Sequence, residues 1–497
     1  MPSCQRMQQL GEPSGREVLR FAVVCRSLTL VLQALFNALV PDHAADAFRP
    51  PRLEPAGPGD RLVEWLLGGL ARWDAEHFLF IAEHGYVYEH SWAFFPGFPL
   101  ALRAAAELAL WPLRGLLTLR SRLLLAAAGL NALCSALAAA ALYRLGCLVL
   151  RRRRPAFLAA LLFCLSPANV FLAAAYSESL FALLAFSAMG QLERGRGGRA
   201  ALLFALASAV RSNGLANAGF LLHAQCRAWL AAPRRPRAAC RPAALLPPLL
   251  RVLGVGLPFA LVQLLAYGQF CGPRAAGPVP EPLVRLARDK AYRLPGGARP
   301  GWCAWRLPLV YGYVQDAYWN VGFLRYFELR QLPNFLLAGP VALLGAAAAW
   351  AYGSANLRHC LSLGLLSSDA PARPGPGFHS PRVFVYLAHS LALLLFGALC
   401  MHVQVLTRFL GSSTPIVYWF PAHLLQEWEP LLWTQETAPG KTPAVCPLLG
   451  QGTPKNPIWG LVCKWRACSG VTRAILGYFL SYWLLGLLLH CNFLPWT

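Results

Sequence analysis

The sequence predicts an all-α polytopic membrane protein, and three observations carry that prediction. Of the 497 residues, 57% are hydrophobic and only 13% are charged, where a soluble chain carries about 25% charged residues. A core cannot absorb so large a deficit, so much of the surface faces lipid. Apolar stretches of the ~20 residues that a bilayer-crossing helix needs recur along the chain. The net charge of +23 collects in short clusters between those stretches: Arg151 to Arg154; Arg194, Arg196 and Arg199; Arg227, Arg234, Arg235, Arg237 and Arg241. That is the asymmetry of cytoplasmic loops. Nucleic-acid binding is set aside, because the basic residues have no soluble domain attached.

The elements follow in order. Residues 1–17 are polar and are read as a cytoplasmic N-terminus, and 18–40 form an apolar run too long for a removed signal peptide, hence a retained first span. Residues 41–92 are a polar, lumenal loop. Residues 94–112 are apolar but proline-broken and suit an interfacial helix. Residues 120–150 are a long span ending on the Arg151–Arg154 cluster, which puts that end in the cytoplasm. Residues 155–171, broken by Ser166-Pro167, return across, and 176–192 descend again. The stretch 200–222 is interrupted by Arg211-Ser212-Asn213-Gly214 and is read as two half-spans, which keeps the basic stretch 227–241 cytoplasmic. Residues 244–268 rise to a second lumenal loop, 269–332. Spans at 333–353, 383–406, 416–425 (short and weak) and 471–491 follow, with a turn at Arg408–Pro415 and cytoplasmic connectors at 367–382 and 426–470. The count is about eleven spans of ~20 residues or less, in a single domain over 1–497 with two large lumenal loops carrying interfacial helices.

Several of the fifteen cysteines (Cys134, Cys147, Cys164, Cys400) lie inside apolar runs, where they act as small hydrophobes. Cys271 and Cys303 flank one polar loop, a pairing that spacing alone leaves open. No Cys/His set has zinc-site spacing, and no N-x-S/T sequon is present.

The first loop holds the chemistry. In Trp73-Asp74-Ala75-Glu76-His77-Phe78 and on to Glu83-His84-Gly85-Tyr86, ionisable and apolar residues alternate. Read as a helix, Asp74 and His77 are neighbours at i,i+3. Two acids and a histidine at a membrane face are costly to keep without a role, and the aromatic flanks set them at headgroup depth. Spacing alone leaves two readings: a solvated interfacial helix, or a catalytic carboxylate facing a lipid-linked substrate.

Longer strings add a resemblance. Trp73-Asp74-Ala75-Glu76-His77-Phe78 with Phe94-Phe95-Pro96-Gly97-Phe98-Pro99, Leu165-Ser166-Pro167-Ala168-Asn169-Val170-Phe171, Val210-Arg211-Ser212-Asn213-Gly214, Gln315-Asp316-Ala317-Tyr318-Trp319-Asn320-Val321-Gly322-Phe323 and Arg408-Phe409-Leu410-Gly411-Ser412-Ser413-Thr414-Pro415 resemble the PIG-V family of GPI mannosyltransferases, within the multispan GT-C glycosyltransferases. The similarity fades at the N-terminus and near 225–243, 367–380 and 433–455.

The resemblance implies a GT-C-type bundle in the endoplasmic-reticulum membrane with a lumenal active site. It implies dolichyl-phosphate-mannose as donor, a mannosyl-glucosaminyl-(acyl)phosphatidylinositol acceptor, and transfer of the second mannose in α-1,6 linkage. A β-linked donor giving an α product calls for one in-line displacement. Asp74 is the candidate base and Glu76 the second, or an orienter of the acceptor. His77 is placed against either carboxylate or the phosphate. Arg211 and Arg408, with Asn213 beside them, are set at the leaving phosphate, against the plainer reading of snorkelling arginines. Asp316 and Asn320, among Tyr313, Tyr318 and Trp319, suit a sugar acceptor, against an interfacial aromatic belt. Ser177 and Glu178 line the same cavity or cap a helix. No cofactor, metal or partner protein is expected. The competing readings are a GT-C enzyme with another acceptor, a non-catalytic subunit, and a transporter or scramblase, which would call for inverted repeats.

Overall fold

The computed structural model describes residues 15–231, 246–273, 277–365, 376–433, 456–494 and 496, and their regular secondary structure is helical throughout. Parts of the sequence-based expectations lie outside the described residues: most of the N-terminus, Arg234 to Arg241, the first part of the 367–382 connector and the middle of the 426–470 connector.

Helix α1 (Gly15–Leu39) buries Val18, Ala22, Cys25, Arg26, Thr29 and Gln33, a stripe at helical spacing, and leaves Val23, Val24 and Val31 exposed as a lipid-facing helix should. The first polar loop folds into α2 (Pro58–Leu67) and α3 (Asp74–His84), followed by α4 (Gly97–Ala104). Asp60 fixes this layer: its carboxylate accepts from the Gly57 amide (2.9 Å) and from the Thr118 amide and hydroxyl (2.9 and 2.8 Å). Thr118 is the N-cap of α5 (Leu119–Val149), the 31-residue pillar of the bundle. Small residues let neighbours approach it closely; a Cβ on Gly146 would lie 2.8 Å from that of Ala156.

The breaks in the next segments position the site. Helix α6 (Arg153–Cys164) stops before Ser166-Pro167, and the freed carbonyls of Cys164 and Asn169 accept from the buried Arg26 guanidinium at 3.2 and 3.3 Å. Buried carbonyls need such partners. Helix α7 (Glu178–Glu193) packs on α5, and α8 (Gly197–Val210) packs on α7. The chain then breaks at Arg211, turns through Ser212–Asn217 and restarts as α9 (Ala218–Ala231). Gly214 is required at that turn: a Cβ there would sit 2.5 Å from the Ser208 Cα.

Helix α10 (Leu246–Phe270) leads to the second loop, which a Cys271–Cys303 disulfide closes and which carries α11 (Glu281–Asp289) and α12 (Val310–Trp319). The chain continues through α13 (Leu332–Ala355), α14 (Phe384–Cys400), α15 (Leu406–Ser413), α16 (Ile416–Trp428), α17 (Pro457–Cys463) and α18 (Gly470–Cys491).

Among the described residues six helices, α1, α5, α10, α13, α14 and α18, are long and apolar enough to cross a membrane. The other five apolar segments are helices of 12, 16, 14, 14 and 13 residues (α6 to α9 and α16). At 1.5 Å per residue none alone reaches the ~30 Å of a hydrocarbon core. Prolines and the polar break shorten them. The turn expected at Arg408–Pro415 is built as the short helix α15 over Leu406–Ser413.

Candidate active site

A cavity of about 510 Å³ lies where the broken helices meet. Its wall takes Asp74 and His77 from α3, Phe94 ahead of α4, Tyr176 and Ser177 ahead of α7, and Arg211 to Asn213 after α8. Tyr311, Gln315 and Trp319 come from α12, and Arg408 from α15. A cavity at interrupted helix ends is where polar backbone and charge are tolerated at membrane depth.

Helix α3 begins on Asp74. The preceding Trp73 has φ 59° and ψ −130°, a backbone state that a side-chain-bearing residue holds only when its surroundings enforce it. The Asp74 amide donates to the Tyr176 hydroxyl at 3.2 Å. Three residues on, one turn along the same face, His77 is stacked between Phe48 (4.3 Å between ring centres) and Phe94 (4.5 Å).

Asp74, Arg408, Glu178 and Arg211 form an unbroken ionic chain. Arg408 donates to Asp74 Oδ2 at 2.8 Å, and its Nη1 lies 3.5 Å from Glu178 Oε1, which also pairs with Arg211. Arg211 further donates to the Ser177 hydroxyl (3.1 Å) and the Asn213 side-chain oxygen (3.3 Å), and Asn213 donates to Ser413 (2.9 Å). The Asp74 side chain is 33% exposed, towards the cavity, and that of Glu178 is 0% exposed.

Burial would raise the Asp74 carboxyl, but the Arg408 guanidinium outweighs it and holds Asp74 below the usual carboxylate range. Asp74 is therefore ionised at neutral pH. Burial lowers His77 to about 4, only partly offset by Asp74 and Glu76, so its imidazole is neutral. An ionised carboxylate facing a cavity beside two guanidiniums has the parts for accepting a proton and for holding a phosphate.

A family model described as mannosyltransferase (PIG-V) matches residues 15–497. The chain belongs to the PIG-V mannosyltransferase family. It is 63% identical over 490 residues to GPI alpha-1,6-mannosyltransferase 2 of Homo sapiens, covering 98% of this chain and 99% of that protein. It is 62% identical to the protein of that name from Mus musculus, with the same coverage. Against GPI mannosyltransferase 2 of Drosophila pseudoobscura pseudoobscura it is 35% identical over 420 residues, 82% of this chain and 90% of the other. This chain is accordingly a mannosyltransferase and a polytopic membrane protein.

Of the residues singled out in the sequence of this PIG-V chain, Asp74, His77, Arg211, Asn213 and Arg408 all line the one cavity. Glu76 does not. Two residues round the helix from Asp74, it turns to the opposite face and pairs with Arg120 and with Arg52 (2.9 Å). Asp316 and Asn320 are exposed and both engage Arg325. The face of α12 that meets the cavity carries Tyr311, Gln315 and Trp319 instead, because Val310 and Val314 are the positions buried behind it. Glu178 stood in the sequence only as a lining residue or a cap; it is the shared counter-ion of both arginines. The signal for it was a carboxylate at the head of an otherwise apolar helix. Among the described residues no three His, Cys, Asp or Glu side chains are gathered to hold a metal ion.

Proposed function

We propose that this PIG-V mannosyltransferase adds the second mannose of the GPI anchor, in α-1,6 linkage. The donor is dolichyl-phosphate-mannose, the acceptor mannosyl-glucosaminyl-(acyl)phosphatidylinositol, and the reaction runs on the lumenal face of the endoplasmic-reticulum membrane. The observation that carries the mechanism is the Asp74 carboxylate facing the cavity, 2.8 Å from Arg408. The reaction follows as a single displacement. The acceptor hydroxyl oxygen attacks the mannose anomeric carbon and the bond from that carbon to the phosphate oxygen breaks. The hydroxyl proton passes to Asp74, and the bonding electrons leave with dolichyl phosphate. Inversion at the anomeric carbon turns a β donor into an α product. Arg408 and Arg211 stabilise the charge that develops on the phosphate. Trp319 and Phe94 offer apolar faces, and Gln315 a hydrogen-bonding amide, to the sugars.

In this reading loops 41–92 and 269–332 are lumenal, and the arginine clusters at 151–154 and 194–199 are cytoplasmic. The Cys271–Cys303 disulfide supports an oxidising compartment for the second loop. The pair α8 and α9, interrupted at Arg211–Asn217, acts as two half-spans that meet at the cavity. The test is to supply microsomes lacking the native enzyme with this chain, labelled dolichyl-phosphate-mannose and a one-mannose GPI intermediate. A two-mannose product is expected. Persistent accumulation of the one-mannose intermediate would refute the assignment.

A further inference from the structure

We propose that Glu178 is a positioning residue for the transfer. It holds Arg211 and Arg408 side by side so that an arriving donor phosphate takes Arg408 from Asp74 while Glu178 keeps both arginines in place. The inference rests on the assignment of Asp74 as base and of the arginines as the phosphate site.

The ionic chain has two carboxylates and two guanidiniums, so its own formal charges balance. Its two acids are not equivalent. Asp74 reaches the cavity, whereas Glu178 is fully buried at the head of α7 and cannot follow a ligand. Arg408 spans them, 2.8 Å from Asp74 and 3.5 Å from Glu178, and its buried Nε has no hydrogen-bond partner. A phosphodiester entering the cavity presents a third anion. It can compete for Arg408 only against the partner that shares its space, which is Asp74. Once Arg408 turns to the phosphate, Asp74 loses the cation that suppresses its basicity, in a setting where burial alone favours the protonated form. Donor arrival thus readies the base, and an acceptor that arrives first meets a carboxylate still occupied by Arg408. The titratable groups that act on Asp74 are Arg408 from α15, Tyr176 ahead of α7, His77 on α3, His402 ahead of α15 and His490 on α18; Glu178 reaches it only through Arg408.

The test uses the full-length enzyme in lipid nanodiscs, with donor and one-mannose acceptor, and measures kcat and donor KM across pH. The chains compared are wild type, Glu178→Gln, Glu178→Asp and Asp74→Asn. In Glu178→Gln Arg408 is left to Asp74 as its one carboxylate partner, so the phosphate captures it less readily: donor KM rises and kcat falls by about tenfold or more. The acid limb of kcat moves to lower pH, because an Arg408 that remains on Asp74 keeps its carboxyl low. Glu178→Asp keeps the charge but withdraws it by a methylene: the acid limb stays where wild type has it, kcat is partly restored, and donor KM rises as the guanidiniums are drawn back. A Glu178→Gln enzyme that differs only in its folded amount, with wild-type donor KM and acid limb, overturns the proposal. Should that variant not accumulate, a wild-type donor KM in Glu178→Asp overturns it. Activity in Asp74→Asn would instead refute the reading of the base, whatever Glu178 does.

Discussion

Arg408 and Asp74 stand 334 residues apart in the chain and 2.8 Å apart in the fold. A guanidinium set there is a fork with fixed geometry, tied at one prong to Asp74 and at the other to Glu178. Arg408→Lys keeps the charge but loses the fork. The variant is expected to fold, to raise donor KM, and to lower kcat/KM by about tenfold or more, a loss of ~1.4 kcal/mol in transition-state binding. Arg211→Lys behaves alike, because Arg211 also bonds Glu178, Ser177 and Asn213 at once. Wild-type donor kinetics in both lysine variants would remove the pair from the phosphate site.

Glu76 separates structure from chemistry. It is buried against Arg120, itself 7% exposed. Glu76→Gln leaves that guanidinium without its counter-charge. Breaking a buried pair from one side costs about 3–5 kcal/mol. Thermal unfolding in detergent should therefore shift markedly downward, while the rate per folded molecule stays near wild type. Unchanged melting with lost turnover would return Glu76 to the reacting centre.

The two faces of α12 give a paired test. Trp319→Ala and Gln315→Ala, on the cavity side, are expected to raise acceptor KM. Asp316→Ala and Asn320→Ala, on the exposed side with Arg325, should be close to wild type, since exposed ion pairs contribute little. Initial rates against acceptor concentration distinguish the faces. The reverse pattern would mean that the acceptor lies outside this cavity.

His77, lowered to about 4 by burial, stays neutral over the ordinary working range. The rate profile should show no inflection from it between about pH 5 and pH 8, and His77→Gln should leave the position of the acid limb unchanged. In stability the sign is the reverse of an ion-paired histidine. The folded value lies below the unfolded one, so His77 withdraws stability as pH falls from about 6.5 towards 4. Melting temperature against pH should fall over that window and fall less in His77→Gln. A histidine limb near pH 6.5 that disappears in His77→Gln would contradict the neutral assignment.

Local patterns were legible in the sequence where one chain segment determines the outcome. Ser166-Pro167 and Arg211–Gly214 interrupt apolar runs, and the helices break there. Asp74 and His77 share a helix face by their spacing of three, and both reach the cavity. The same arithmetic would have turned Glu76 away, since two residues make a rotation of about 200°. Its charge, not its angle, had drawn attention. At α12 the candidates were Asp316 and Asn320, and Gln315 was passed over, because Val310 and Val314, which fix the buried side, identify the cavity face only in the fold. Glu178 and the Arg408–Asp74 pair were out of reach for another reason: nothing in local spacing links residues brought together by three different breaks. Hydropathy records apolar character and not helix length, so it does not separate the six long helices from short ones such as α6, whose apolar residues are buried inside the bundle.

The most direct test of the central claim is mannose transfer by Asp74→Asn. The amide keeps the size of the side chain and most of its hydrogen bonding to Arg408 and its neighbours, but it cannot accept the hydroxyl proton. Microsomes lacking the native enzyme, containing equal amounts of folded wild-type or variant protein, would receive labelled dolichyl-phosphate-mannose and the one-mannose acceptor. The predicted result is a loss of ~10²–10⁴-fold in rate, with insertion and melting temperature retained. Normal turnover by Asp74→Asn would contradict the account.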